Sequence, residues 1–208
     1  MIAVPTLGSV HTELVARLLY WQTQFPPNTI GFHLGFNVAP VDRARNTIVQ
    51  NFLAAKLNGQ PLTHLLMVDS DTVPQPDAPQ RLLAHDVDVV SGMTPIANRN
   101  KETGELQFYD NCFETTETDS DGKVIKTNVA QRHTGLRQIL RCGGSCLLVK
   151  RHVLESLTPP WFQFELKDNG TQHSRSEDIY FCDMVKDNGF DLYADTDVLC
   201  QHNKQLSF

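Results

Sequence analysis

His64-Leu65-Leu66-Met67-Val68 is an apolar run of strand length, and a chain that contains it must bury that strand inside a sheet. The run leads straight into Asp69, Ser70 and Asp71. Two carboxylates one residue apart are thereby delivered to the carboxyl edge of the sheet, where open α/β sheets bind ligands. That placement is an address for a metal ion. Whether such an ion serves sugar transfer or phosphate hydrolysis depends on the rest of the chain.

The segments on either side predict the kind of sheet. Met1–Pro5 reads as a strand, Thr6, Gly8 and Ser9 as a small-residue loop, and the stretch from Thr12 as an amphipathic helix with Leu14, Val15, Leu18 and Leu19 on one face. The loop would let backbone N–H groups approach a nucleotide, and it suits a plain βα turn equally well. Gly31–Val38 reads as a second strand. Asp42 is expected to cap a helix running to about Leu57, with Ile48, Val49, Phe52 and Leu53 inward and Gly59 as its stop. Arg43 and Arg45 in its first turn oppose the helix dipole, so they ask for an anionic partner, either a ligand or carboxylates of the chain itself.

After the strand Leu65–Asp69, Asp77 and Pro79 begin a short helix, and Asp86–Gly92 forms a further strand leading to Pro95 and Arg99. The order β-α-β-α-β-α-β predicts an α/β fold with a mixed, mostly parallel sheet flanked by helices. A polar excursion at 100–137 breaks the rhythm, with Gln107–Phe113 and Lys123–Asn128 read as a β-hairpin around 105–130, turning at Asp119-Ser120-Asp121-Gly122. That second Asp-Ser-Asp follows polar residues and reads as a turn. Ile139–Lys150 returns to core character but is interrupted at Gly143-Gly144-Ser145, which points to a bulge or a close approach, preferably by a ligand. Ser176-Glu177-Asp178 opens a helix to about Lys186, and the strands Asp191–Ala194 and Val198–Gln201 lead to His202.

Bulk properties narrow the function. With 208 residues, 40% of them apolar, the chain can bury one sizeable core. A net charge of −6 argues against a basic face for nonspecific phosphate-backbone binding. The odd set Cys112, Cys142, Cys146, Cys182 and Cys200, without C-x-x-C spacing, reads as reduced thiols and a cytoplasmic location. No apolar run approaches roughly eighteen residues and the N-terminus lacks a basic-then-apolar plan, so neither a membrane span nor a secretory leader is expected.

Three clusters remain for chemistry: Asp69 with Asp71, Glu177 with Asp178, and His202. Carboxylates plus one imidazole suit Mg²⁺ or Mn²⁺, which keep open positions for a substrate diphosphate. Each piece also has a plain reading, as a turn opener, a helix-dipole partner and a surface histidine. In their order along the chain, however, the strand ending in Asp-x-Asp, the Gly-rich strand, the aromatic segment, Glu-Asp at a helix start and the final histidine resemble a nucleotide-sugar glycosyltransferase of the GT-A fold, of the compact, family-2-like kind. The resemblance spans about residues 1–203, and Met67–Asp71, Ser176–Asp178 and His202 are its most specific parts.

The resemblance implies a single domain, with a nucleotide-binding half at 1–98, an acceptor and catalytic half at 99–203 and a tail at 204–208. It implies that Asp71 and His202 bind the metal, with Asp69 near the ribose or a metal-bound water and counted with them in the metal set. Pro5 and Thr6 would border the base, Arg45 would reach ribose or phosphate, Ser70 would belong to the donor contacts, and Arg99 and Gly144 would border the donor sugar. Asp178 would be the base that deprotonates the acceptor hydroxyl, with Glu177 as its competitor. Implied partners are Mn²⁺ or Mg²⁺, a nucleotide-diphosphate sugar with a UDP-sugar favoured, and an acceptor that could be a glycan, small molecule, protein or modified nucleic-acid base. Inversion and retention, and oligomeric state, stay open. Asp69-Ser70-Asp71-Thr72-Val73 also fits the motif of haloacid-dehalogenase-like phosphatases, with Asp69 as nucleophile, but that motif normally ends the first strand of its domain and here follows two βα units. A non-catalytic sugar-nucleotide-binding module is the third reading.

Overall fold

His64–Val68 lies inside an eight-stranded sheet whose strands, numbered here within that sheet, are β1 (Ile2–Thr6), β2 (Phe32–Phe36), β3 (His64–Val68), β4 (Thr72–Pro74), β5 (Val89–Met93), β6 (Leu136–Ile139), β7 (Cys146–Lys150) and β8 (Leu192–His202). The structure is a computed structural model and describes residues 1–99, 103–118, 124–166, 170 and 173–203. The spatial order is β6-β8-β5-β7-β3-β1-β2, with β4 paired to β8. β1, β2, β3, β5 and β8 share one direction, and β7 is inserted antiparallel between β3 and β5. The fold is a mixed α/β architecture with a large, mostly parallel central sheet flanked by helices, as the element order predicts.

β3 is covered on both faces, which is why it tolerates no polar alternation. Leu65 and Met67 join Ile48, Val49 and Phe52 of helix α2 (Val41–Ala54), Val153 and Leu154 of helix α4 (Arg151–Ser156) and Phe181 of helix α5 (Glu177–Asp187). Leu66 and Val68 face the opposite layer, with Leu14, Leu18 and Trp21 of helix α1 (Thr12–Gln24) and Leu82 of helix α3 (Ala78–Ala84). At roughly 1.5–3 kcal/mol for each fully buried large apolar side chain, this double coverage fixes the position of β3 and of whatever follows it.

Several local expectations are corrected. Val15 and Leu19 are exposed, because α1 lies on the sheet along the narrower Leu14–Leu18–Trp21 stripe. Helix α2 begins one residue before Asp42, with the carbonyl of Pro40 accepting the Arg43 and Ala44 amides, so Asp42 sits in the first turn and accepts from the Arg43 amide instead of capping. The same helix stops at Ala54, since Lys56–Leu57 pairs with Gln60–Pro61 across Asn58 and Gly59, both with positive φ; Gly59 is therefore a hairpin residue and no helix stop. Gln107–Phe113 is two strands in different sheets: Leu106–Asp110 pairs with Pro95–Arg99, and Cys112–Thr118 with Val124–Val129. The break is Asn111, whose amide donates to the Thr94 carbonyl while its Oδ1 accepts from the Thr94 amide. The Asp119–Gly122 turn and the 204–208 tail lie outside the described residues.

The last strand, β8, unites the two expected segments Asp191–Ala194 and Val198–Gln201, with a register irregularity between Asp195 and Leu199. Asp195 is buried there and accepts from His85 (2.8 Å) and from the Asp197 amide (2.9 Å). Burial opposes its ionisation, but these bonds and Arg81 outweigh that cost and hold its pKa below the ordinary carboxylate range. Asp195 therefore stabilises the fold at neutral pH, and its contribution is lost only as acidification carries it through that lowered pKa. Asp195→Asn should cost roughly 2–3 kcal/mol at about pH 7, and the gap to the parent should close below about pH 4, as read by thermal melts across pH.

Candidate functional site

The turn after β3 is held from three sides. The Asp69 amide donates to the Ser145 carbonyl, the Thr72 amide to the Asp69 carbonyl and the His11 amide to the Ser70 carbonyl. Thr72 then enters β4, where it stands opposite His202, and the Asn203 amide donates to the Asp71 carbonyl. Strand pairing thus brings residue 202 beside residue 71 although they are far apart in sequence.

The two side chains meet: His202 Nε2 lies 3.3 Å from Asp71 Oδ2. His202 Nδ1 is 2.7 Å from the Pro95 carbonyl, which can only accept, so Nδ1 carries a proton and Nε2 is the nitrogen turned to Asp71. A bare imidazole lone pair and a carboxylate oxygen are both acceptors. A cation between them, proton or metal, makes that approach favourable, and orientation of a ligand histidine by a carbonyl on its other nitrogen is the usual arrangement around metals. Asp69 is not turned the same way: its Oδ1 accepts from Arg45 Nη2 at 2.8 Å. Among the described residues no group of three or more His, Cys, Asp or Glu side chains forms a ready-made metal cage. Two protein ligands fit an ion whose remaining positions go to water and substrate phosphate, as Mg²⁺ commonly is bound.

Two clefts open from this point, and Asp69 and Asp71 line both. The first, of about 360 Å³, is bordered by Pro5, Thr6, Val38, Pro40 and Ser70, with Arg45 and Glu177 at its base. The second, of about 350 Å³, is bordered by Asn111, Phe113, Gly144, Ser176, Asp178 and His202. Pro5 and Thr6 reach the first cleft as the end of β1. The side chain of Arg99 lies outside the described residues, though its backbone closes the Pro95–Arg99 strand.

Glu177 and Asp178 sit at the start of α5, which is anchored by bidentate donation from Arg141 to Asp183, both bonds at 2.9 Å. Neighbours in sequence, they have different surroundings. Glu177 is buried, and that burial raises its pKa against the pull of Arg45. Asp178 lines the second cleft, and its Oδ1 accepts from the Ser176 hydroxyl and from the Ile179 amide at 2.8 Å.

The paired glycines have a different reason from the one expected. They form a turn leading into β7, and a Cβ at Gly143 would stand 2.7 Å from Asn111 Nδ2, while one at Gly144 would stand 2.6 Å from Arg45 Nη1. The close approach is by two side chains of the chain itself. Asn111 Nδ2 donates to Ser145 Oγ at 3.0 Å, extending its hold on Thr94 to the residue whose carbonyl receives the Asp69 amide. Sequence reasoning missed Asn111; its one signal was a turn-forming residue in the middle of a strand-like run. It also passed over Asn46, whose side chain donates to the Phe162 carbonyl and accepts from the Trp161 and Phe162 amides. All five cysteines are free and buried.

The chain matches no protein-family model and no curated protein. Among solved structures, the crystal structure of A197 from STIV is similar to it, with a TM-score of 0.61 and 19% identity over 98% of this chain and 85% of A197. GalNAc-T7, solved with UDP, GalNAc and Mn²⁺, has a TM-score of 0.61 and 13% identity over 99% of this chain. The fold is GT-A-like. This chain spans 44% of the GalNAc-T7 chain, and at such identities the likeness speaks for the fold alone. No helix among the described residues is long and apolar enough to cross a membrane.

Proposed function

We propose that this protein is a metal-dependent glycosyltransferase that moves a sugar from a nucleotide-diphosphate donor to an acceptor hydroxyl. One observation carries the reading: the Asp71–His202 pair stands where two clefts meet, and Arg45 is the sole lysine or arginine lining either cleft among the described residues. The Arg45 guanidinium is committed to Asp69 and the Gly144 carbonyl. A diphosphate at the junction would meet carboxylates without a counter-charge, and burying an uncompensated anion there is costly. A divalent ion on Asp71 and His202 would supply that charge and stabilise the diphosphate as it leaves.

The remaining roles follow from the two clefts. The nucleoside occupies the first, against Pro5, Thr6 and Ser70, with Asp69 beside the ribose; the donor sugar enters the second beside Gly144. Asp178 takes the proton of the acceptor hydroxyl on Oδ2, its Oδ1 being already hydrogen-bonded. The acceptor oxygen then bonds to the anomeric carbon as the bond to the diphosphate breaks, and the nucleoside diphosphate departs. Glu177, buried and paired with Arg45 at the base of the first cleft, is not among the residues lining the second, so the base is assigned to Asp178. A GT-A-like neighbour solved with UDP and Mn²⁺ supports trying that nucleotide and metal first.

A panel of nucleotide sugars with Mn²⁺, followed by thermal melting and by slow donor hydrolysis, tests the reading. A bound donor at about 100 times its Kd should add about 2.7 kcal/mol to stability. If no donor moves the melting temperature with metal present, the protein is not a transferase of this kind.

A further inference from the structure

Both acidic motifs converge on one side chain. Arg45 projects from α2 and is only 2% exposed. Its Nη2 donates to Asp69 Oδ1 at 2.8 Å, its Nη1 donates to the Gly144 carbonyl at 2.9 Å, and its Nε lies 3.4 Å from Glu177 Oε1. The ring of Phe162, stacked on Phe181 of α5 with centroids 4.7 Å apart, covers the guanidinium at 5.7 Å. In Asp69-Ser70-Asp71 and in Glu177-Asp178 alike, the first carboxylate contacts Arg45; the second lines the cleft beside His202, which Asp69 lines as well.

We infer that Arg45 is a positioning residue: by holding the first carboxylate of each motif it sets the placement of the second, Asp71 or Asp178, in the cleft beside His202. A planar, permanently charged fork bonds Asp69 and the Gly144 carbonyl through its two Nη atoms while its Nε stands in ion-pair range of Glu177, joining α2, the end of β3, the Gly143–Ser145 turn and the start of α5. The compact ammonium of a lysine has three donors but no planar fork, so it cannot reproduce the spaced geometry that reaches all three partners. With Arg45 in place, Asp69 and Glu177 share one counter-charge, and Asp71 and Asp178, their neighbours in sequence, line the same cleft. Gly144 belongs to the same device, since any Cβ there would displace the guanidinium. What Asp71 and Asp178 then do rests on the transferase reading; that Arg45 sets their placement does not.

Hydrogen–deuterium exchange on the full chain without ligand, together with UDP affinity in Mn²⁺, separates the two. Arg45→Lys should raise exchange by about tenfold both in the segment 69–72 and in the segment 176–180, and should weaken UDP binding by about tenfold in the folded fraction. Gly144→Ala should do the same in the parent and add little in the Arg45→Lys background, because the clash and the lost fork are one event. Exchange rising around α2 alone, or additive effects of the two substitutions, would overturn the positioning role, as would an unchanged UDP affinity in a variant that is merely less stable. If the parent binds no UDP with Mn²⁺, the donor reading fails while the exchange data still decide on Arg45.

Discussion

Asp71→Ala is expected to abolish Mn²⁺-dependent donor binding and to lower turnover by at least about 1,000-fold, with little loss of stability. The side chain is 40% exposed and, at 3.3 Å from His202 Nε2, lies at the cleft surface rather than in the apolar core, so its removal opens no core cavity. What disappears is the charge that pairs an ion with a diphosphate. His202→Ala should act in the same direction, because it removes the second proposed ligand, and the double variant should be no worse than the more severe single one. Asp119→Ala, in the second Asp-Ser-Asp, is the control: its three letters are identical but polar residues, Thr116, Glu117 and Thr118, precede them in the sequence, and donor binding should be unchanged. Isothermal titration of UDP with Mn²⁺ and a donor-hydrolysis assay measure both effects.

Asp178→Asn should lower turnover by about 10²–10⁴-fold and leave the affinity for donor and metal intact. An amide keeps the shape and can still accept from Ser176 and the Ile179 amide, but it cannot take a proton. The split between lost turnover and retained donor affinity separates a proton acceptor from a metal ligand. Glu177→Gln should differ in kind. Glu177 is buried and its pKa is raised, so at neutral pH its charge is a cost that Arg45 only partly offsets, and the substitution should change melting temperature and its pH dependence more than turnover. Retained turnover in Asp178→Asn with lost turnover in Glu177→Gln would reverse the two assignments.

The parts of this chain legible in the sequence are those where local pattern and packing agree. The unbroken apolar run of β3 had to be covered twice, and the alternation of strand and helix up to Met93 required a mostly parallel sheet. What was not legible depends on contacts between distant residues. Two arginines in the first turn of α2 signalled a need for an anion, but no local rule says that for Arg45 the anion is Asp69 together with Glu177. Likewise, a Gly-Gly pair announces that something comes close without saying what; here Asn111 and Arg45 do. Splitting Gln107–Phe113 into two sheets needed the buried Asn111–Thr94 pairing, a tertiary event that overrides strand propensity. The resemblance ranks Asp178 ahead of Glu177 as the base, but no local rule says that Glu177 is buried beside Arg45 while Asp178 lines a cleft.

Asp71 and His202 are proposed to hold a cation for a nucleoside diphosphate. Calorimetric titration of UDP into the full chain, with and without Mn²⁺, tests it most directly. Binding at least about tenfold tighter with Mn²⁺, and lost in Asp71→Ala, is the result predicted. Equal UDP affinity with and without the metal, or an Asp71→Ala variant that binds like the parent, would contradict it.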